Sequence, residues 1–182
     1  MSIKTLERCP ICTGNFAQPY VKKDGYKFLK CTCGYIFCHP RPTQAELDKC
    51  YGVGEASESS QNILSNFYPK ASSRGRRAFF NAIKLLPYVW GKRVMDLGCG
   101  GGFVVGSMKT VGAREAVGVD INPSSIGYAS SQYPKCKFHC GEFGDFSNRK
   151  LGRFDFIYSS EVIEHVVDVE AYMKFLVDMT EP

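Results

Sequence analysis

The 182-residue chain has no uninterrupted apolar run near the ~20 residues that a membrane span needs, which excludes a transmembrane helix. No apolar stretch follows the charges of the opening MSIKTLERCPIC, so no secretory signal is expected. Internal repeats and low-complexity tracts are lacking. So is a dense Lys/Arg stripe: residues 1–50 carry eight Lys/Arg against four Asp/Glu, and the remainder is nearly balanced. That front end can attract an acidic partner but falls short of a nucleic-acid-binding face. Nine cysteines, an odd number, do not make a closed disulfide framework and fit thiols or metal ligands in a reducing compartment. The expectation is a cytoplasmic protein with no membrane and no nucleic-acid partner.

What is present is unevenly placed. Five of the cysteines lie between Cys9 and Cys38, in a stretch without long helical periodicity. Thr43–Tyr51 reads as a short helix, with Thr43 and Glu46 at capping-box spacing. Residues 52–61 (GVGEASESSQ) read as a linker. This divides the chain into a cysteine module over 1–41, a helix and linker over 42–74, and a core over 75–182. From Arg76 onward Phe79, Phe80, Ile83 and Leu86 fall on one helical face, and Pro87 stops the run. Strands are then predicted at Arg93–Leu97, Ala116–Val119, Cys136–His139 and Phe154–Tyr158. Helices are predicted after the first of these, from Asn122-Pro123, and behind Asp168, where Val169, Tyr172, Met173, Leu176 and Val177 keep helical spacing. Such alternation predicts an α/β fold with parallel β-α-β units.

The most informative segment is Asp96-Leu97-Gly98-Cys99-Gly100-Gly101-Gly102, directly after the first core strand. Glycines let the backbone turn sharply and approach a ligand, although a tight turn without a ligand uses the same residues. Asp96 just before the glycines would repel a pyrophosphate and suits a cationic ligand. Asp120 ends the next strand, where an acid can accept from both ribose hydroxyls and leave Ile121 against an adenine. A nicotinamide-dependent oxidoreductase shares the second feature and not the first.

Together with Phe154-Asp155-Phe156-Ile157-Tyr158 before Glu161-Val162-Ile163-Glu164-His165, these motifs resemble class I S-adenosylmethionine-dependent methyltransferases over residues 75–182. The resemblance implies a Rossmann-like parallel sheet in the order 3-2-1-4. It implies a methionine end held by Asp96 and the Gly98 backbone, with Cys99, Gly100 and Gly102 completing the loop. It also implies ribose on Asp120, adenine beside Ile121, Glu142 and Phe143, and Ser160 and Glu161 at the acceptor mouth. A solvated loop acid remains the alternative for Glu142. The family's sheet usually has seven strands, so the chain is read as C-terminally truncated or as borrowing strands. The fourth strand would then be an open edge available for self-association. A catalytically incomplete cofactor-binding or interaction module is the corresponding alternative.

Cys9-Pro10-Ile11-Cys12 and Cys31-Thr32-Cys33-Gly34 offer four thiolates from two turns, the composition of a closed structural Zn2+ site. Cys38 is a competing ligand, free buried thiols are the alternative, and Cys50, Cys99, Cys136 and Cys140 read as small core or loop residues. The module is similar to zinc-ribbon domains fused ahead of methyltransferases in bacterial sugar and polysaccharide biosynthesis, which implies a small-molecule or glycan acceptor. Glu161, Glu164 and His165 would share one side of a helical turn. They resemble the magnesium-binding Glu-x-x-Glu-His of small-RNA 2′-O-methyltransferases and ubiquinone-pathway O-methyltransferases, although no histidine follows His165. An ordinary helix start is the other reading. His165, with Glu161 beside it, is the candidate base for an acceptor that loses a proton, and a helix-surface histidine is the alternative.

Overall fold

The computed structural model describes residues 9, 11–12, 14, 18–23, 25–40, 43, 45 and 71–182. Apart from Thr43 and Ala45, the helix expected over Thr43–Tyr51 and the linker after it lie outside these residues, as does Cys50. In the cysteine module, β1 (Gln18–Lys23), β2 (Tyr26–Lys30) and β3 (Ile36–Cys38) form an antiparallel sheet in that order.

The core begins with α1 (Ala71–Lys84) and α2 (Leu86–Val89). Then β4 (Arg93–Leu97), α3 (Phe103–Thr110), β5 (Glu115–Asp120), α4 (Pro123–Gln132) and β6 (Lys137–Cys140) alternate. The chain closes with α5 (Asn148–Leu151), β7 (Phe156–Tyr158) and α6 (Val169–Met179). The four core strands are parallel in the order β6-β5-β4-β7, the expected 3-2-1-4. Strand alternation splits the interior in two. Val94 and Ala116 pack with Val105 and Met108 of α3 on one face. Met95, Leu97, Val117 and Val119 pack with Tyr172 and Met179 of α6 on the other.

Local chemistry sets the helix starts. Asn122 Oδ1 accepts from the Ser125 amide at 3.0 Å with Pro123 behind it, and Asp168 Oδ1 accepts from the Ala171 amide at 2.9 Å. Two apolar faces differ from expectation. The buried side of α1 carries Ala78 and Ala82, whose small side chains let the helix close on α3, whereas Phe79, Phe80, Ile83 and Leu86 are exposed. On α6, Val169, Tyr172 and Met179 are buried but Met173 and Val177 are not. Val177 flanks the outer edge of β7, which has no further strand beside it among the described residues. Beside that edge runs an open cleft of about 770 Å³, lined in part by Phe156, Ile157, Leu176, Val177 and Thr180. None of the residues predicted to bind the cofactor lines it. No helix among the described residues is long and apolar enough to cross a membrane.

Arg93 ties the sheet to this edge. Its Nε donates to Glu115 at 2.6 Å, its Nη1 to the Arg153 carbonyl at 2.6 Å and its Nη2 to the Leu151 carbonyl, while the guanidinium lies 4.2 Å above the Phe154 ring. Replacing Arg93 by Ala strands several acceptors at once, so urea denaturation is expected to show a loss of about 2–4 kcal/mol. A loss below ~0.5 kcal/mol would contradict this role.

Candidate cofactor pocket

Asp96 and Asp120 stand at the tips of neighbouring strands. Asp96 is 3% exposed, and desolvation, helped by the negative charge of Asp120, pushes its carboxyl up to about 8. Asp120 is held differently: its Oδ2 accepts from the Gly100 amide at 2.8 Å and its Oδ1 from the Asn122 amide at 2.9 Å. Each of its oxygens keeps a further lone pair for a ligand hydroxyl.

Three of the four loop glycines, Gly98, Gly100 and Gly102, serve different needs. All have positive φ, at 82° for Gly98, 48° for Gly100 and 75° for Gly102. A Cβ on Gly102 would meet Ala129 and Phe138 at 2.8 and 2.9 Å, so that glycine lets α3 approach α4 and β6. A Cβ on Gly98 would fall 2.2 Å from Val162 Cγ2. Gly100 alone of the three faces open space. The loop amides are largely spent: those of Gly98 and Cys99 donate to the Val119 carbonyl at 2.8 and 3.0 Å, and that of Gly100 to Asp120. A pyrophosphate would find acids and engaged donors here, whereas a cation finds the carboxyl groups of Asp96 and Asp120.

The remaining predicted residues surround this bend unequally. Cys99 is buried against Gly118, with its thiol directed to the Gly100 carbonyl at 3.7 Å. Ile121 is 41% exposed beside Asp120. Glu142 is exposed, its amide donating to Asp145 Oδ2 at 2.9 Å. Phe143 meets the Tyr172 ring edge-on, with centroids 5.4 Å apart. Ser160 and Glu161 are exposed. The helical turn expected to align Glu161, Glu164 and His165 is absent: Glu161 has φ +59°, and only Ile163–His165 turns, as a short 3-10 helix. A left-handed residue ahead of that turn takes Glu161 out of helical register.

Among the described residues, only Cys9, Cys12, Cys31 and Cys33 bring ligand atoms close enough together to hold a metal. Their sulfur atoms lie within 4.8 Å of one another, with Cys9–Cys33 at 3.8 Å and Cys12–Cys31 at 3.5 Å. A tetrahedron with Zn–S bonds of about 2.3 Å has edges of about 3.8 Å, so the residues fit the ion. The Cys33 amide pulls the Cys31 thiol below its ordinary range, favouring a thiolate. Cys38 stands outside the group, with its thiol directed to the Pro40 carbonyl at 3.6 Å.

Three residues that the sequence reading passed over reach this bend. They are Ser159, whose Oγ is 2.8 Å from the Leu97 carbonyl, Tyr172, 2.6 Å from that Oγ, and Val162 against Gly98. Two adjacent serines carried no sign of which one turns inward.

Comparison with known proteins follows the same outline. A family model described as "Methyltransferase domain" matches residues 65–182. A ubiquinone biosynthesis O-methyltransferase of Bradyrhizobium diazoefficiens is 32% identical over 110 residues, covering 58% of this chain and 42% of the relative. One from Aromatoleum aromaticum is 31% identical over 96 residues, covering 50% and 41%. The chain thus spans about two fifths of these relatives. A TehB-like S-adenosylmethionine-dependent methyltransferase from Corynebacterium glutamicum shares the fold at TM-score 0.53 and 20% identity, covering 66% of each chain.

The buried acid makes stability depend on pH. Folding raises the Asp96 carboxyl from 3.8 to about 8, so between those values the folded form keeps a proton that the unfolded form has lost. Its contribution is complete below about pH 4 and fades as pH rises toward 8, at up to about 1.4 kcal/mol per unit. Urea midpoints of the ligand-free protein are expected to fall from pH 5.5 to 7.5, and Asp96→Asn to flatten that slope. An unchanged slope in the variant would contradict the assignment.

Proposed function

The chain belongs to the methyltransferase-domain family, and from that premise we propose that its core binds S-adenosylmethionine and transfers the methyl group to a hydroxyl of a small molecule. The observation that carries this reading is the buried, uncompensated Asp96 beside the open face of Gly100. The activity for which the relatives are named, O-methyl transfer in ubiquinone biosynthesis, favours the small molecule over the glycan among the acceptors that the cysteine module's resemblance implied.

The bound cofactor supplies a methyl group already activated on a sulfonium, which leaves alignment and water exclusion to the protein. Asp96 and the Gly98 carbonyl hold the ammonium of the methionine end, with the Cys99, Gly100 and Gly102 backbone curving around it. Asp120 accepts from the ribose hydroxyls, Ile121 covers one adenine face, and Glu142 and Phe143 close the far side. Ser160 and Glu161 border the mouth, where His165 takes the acceptor hydroxyl's proton. Cys9, Cys12, Cys31 and Cys33 hold a structural Zn2+ that supplies folding energy to a module too small for a sufficient core. The free edge of β7 offers a surface for self-association.

Titration calorimetry with S-adenosylhomocysteine, which carries the same ammonium, tests the pocket. Binding is expected to strengthen from pH 6 to 7.5 as Asp96 gives up its proton, and to weaken at least about tenfold in Asp120→Ala. Absence of heat in the unsubstituted protein would overturn the reading. Metal analysis of the purified chain is expected to give one zinc per molecule, reduced to less than a tenth in Cys12→Ser/Cys33→Ser. Zinc-free unsubstituted protein would contradict the metal site.

A further inference from the structure

Leu97 and Gly98, which make the first bend of the pocket, are gripped by side chains that make none of the ligand contacts proposed above. Ser159 Oγ has one proton and stands 2.8 Å from the Leu97 carbonyl and 2.6 Å from Tyr172 Oη. Spending that proton on the carbonyl makes Tyr172 the donor to Ser159, so a directed chain runs from Tyr172 through Ser159 to Leu97. Tyr172 is 2% exposed, and burial raises its phenol, which keeps it a donor at neutral pH. Three residues beyond Ser159, Val162 Cγ2 fills the space that a Gly98 side chain would need. Reaching that position takes Glu161 at φ +59°, the single non-glycine with positive φ among the described residues. A left-handed backbone at a non-glycine residue is strained. From the opposite side, the Val119 carbonyl accepts from the Gly98 amide at 2.8 Å.

We propose that Ser159, Val162 and Tyr172 are positioning residues for cofactor binding, clasping the Leu97–Gly98 bend so that Asp96 and the Gly98 carbonyl face the ligand's ammonium before it arrives. This rests on the assignment of the pocket to S-adenosylmethionine. The pairing of hydroxyls carries the distinction from simple packing. Ser159 adjoins the apolar cluster of Leu97, Tyr172 and Val162, where the substitutions Ser159→Ala and Tyr172→Phe would keep nearly the same volume without the hydrogen bonds. Filling space alone therefore gives no reason for two hydroxyls linked in series to one carbonyl, whereas fixing the direction of that carbonyl does.

The test is calorimetric titration of S-adenosylhomocysteine into the unsubstituted chain, Ser159→Ala, Ser159→Thr, Tyr172→Phe and the double variant Ser159→Ala/Tyr172→Phe, each paired with a thermal melt. The unsubstituted chain is expected to bind, with Ser159→Ala and Tyr172→Phe each about tenfold weaker. Ser159→Thr should come within threefold of the unsubstituted chain, because the hydroxyl returns. The double variant should be no weaker than the worse single one, because both break the same chain of bonds. Val162→Ala should also weaken binding while leaving the melt within a few degrees. Singles within twofold of an unsubstituted chain that binds, or losses that Ser159→Thr does not restore, would overturn the clasp and leave the pocket assignment standing. An unsubstituted chain that fails to bind would overturn both.

Discussion

A carboxyl group buried at the tip of β4, with no cation beside it among the described residues, is the constraint around which this core is arranged. Burial of Asp96 next to Asp120 is unfavourable for its anion, so the ligand-free fold keeps a proton there. An arriving ammonium can take that proton's place, and the binding chemistry follows from this exchange. The loop's own amides are engaged by Val119 and Asp120, which leaves acceptors suited to a positively charged group. A glycine-rich bend that elsewhere would cradle phosphate is here suited to the opposite charge.

The backbone is arranged to hold that bend. Register places Asp96 opposite Gly118 on β5, and the side-chain-free position there admits Phe138 and Cys99 beneath the loop. Arg93 at the other end of β4 binds strand, edge and Glu115 into one unit. The cysteine module is a separate solution to a separate problem. Its small sheet buries Cys9, Cys31 and Phe37, and four gathered sulfur atoms offer the cross-link that so few buried side chains need.

Much of this was legible in the sequence because the signals are local. Asn122-Pro123 and Asp168 start helices by hydrogen bonds within three residues, and glycines after an apolar strand announce a bend wherever they occur. Alternation announced the parallel β-α-β units, and the strand order came from the family resemblance. What escaped depended on contacts between distant segments. Phe79, Phe80 and Ile83 share a helix side, yet α1 packs through Ala78 and Ala82, because closeness to α3 rewards small residues over greasy ones. Glu161 and Glu164 have helical spacing, but the backbone is left-handed at Glu161, next to the Val162 that packs against Gly98, and no one-dimensional pattern records that contact. Gly98 and Gly102 appeared as ligand-facing positions, and the folded chain gives each a packing reason as well. Ser159 was hidden because its partners, Leu97 and Tyr172, come from two other elements.

The central claim is that Asp96 stores a proton which a cationic ligand displaces. Carbon-13 NMR of carboxyl-labelled aspartate, with Asp96→Asn to assign the signal, measures this directly. The account predicts a side-chain carboxyl that titrates near pH 8 in the free protein and stays ionised down to about pH 5 once S-adenosylhomocysteine is bound. An Asp96 signal already ionised at pH 5 without ligand, or one that the ligand leaves unmoved, would contradict it.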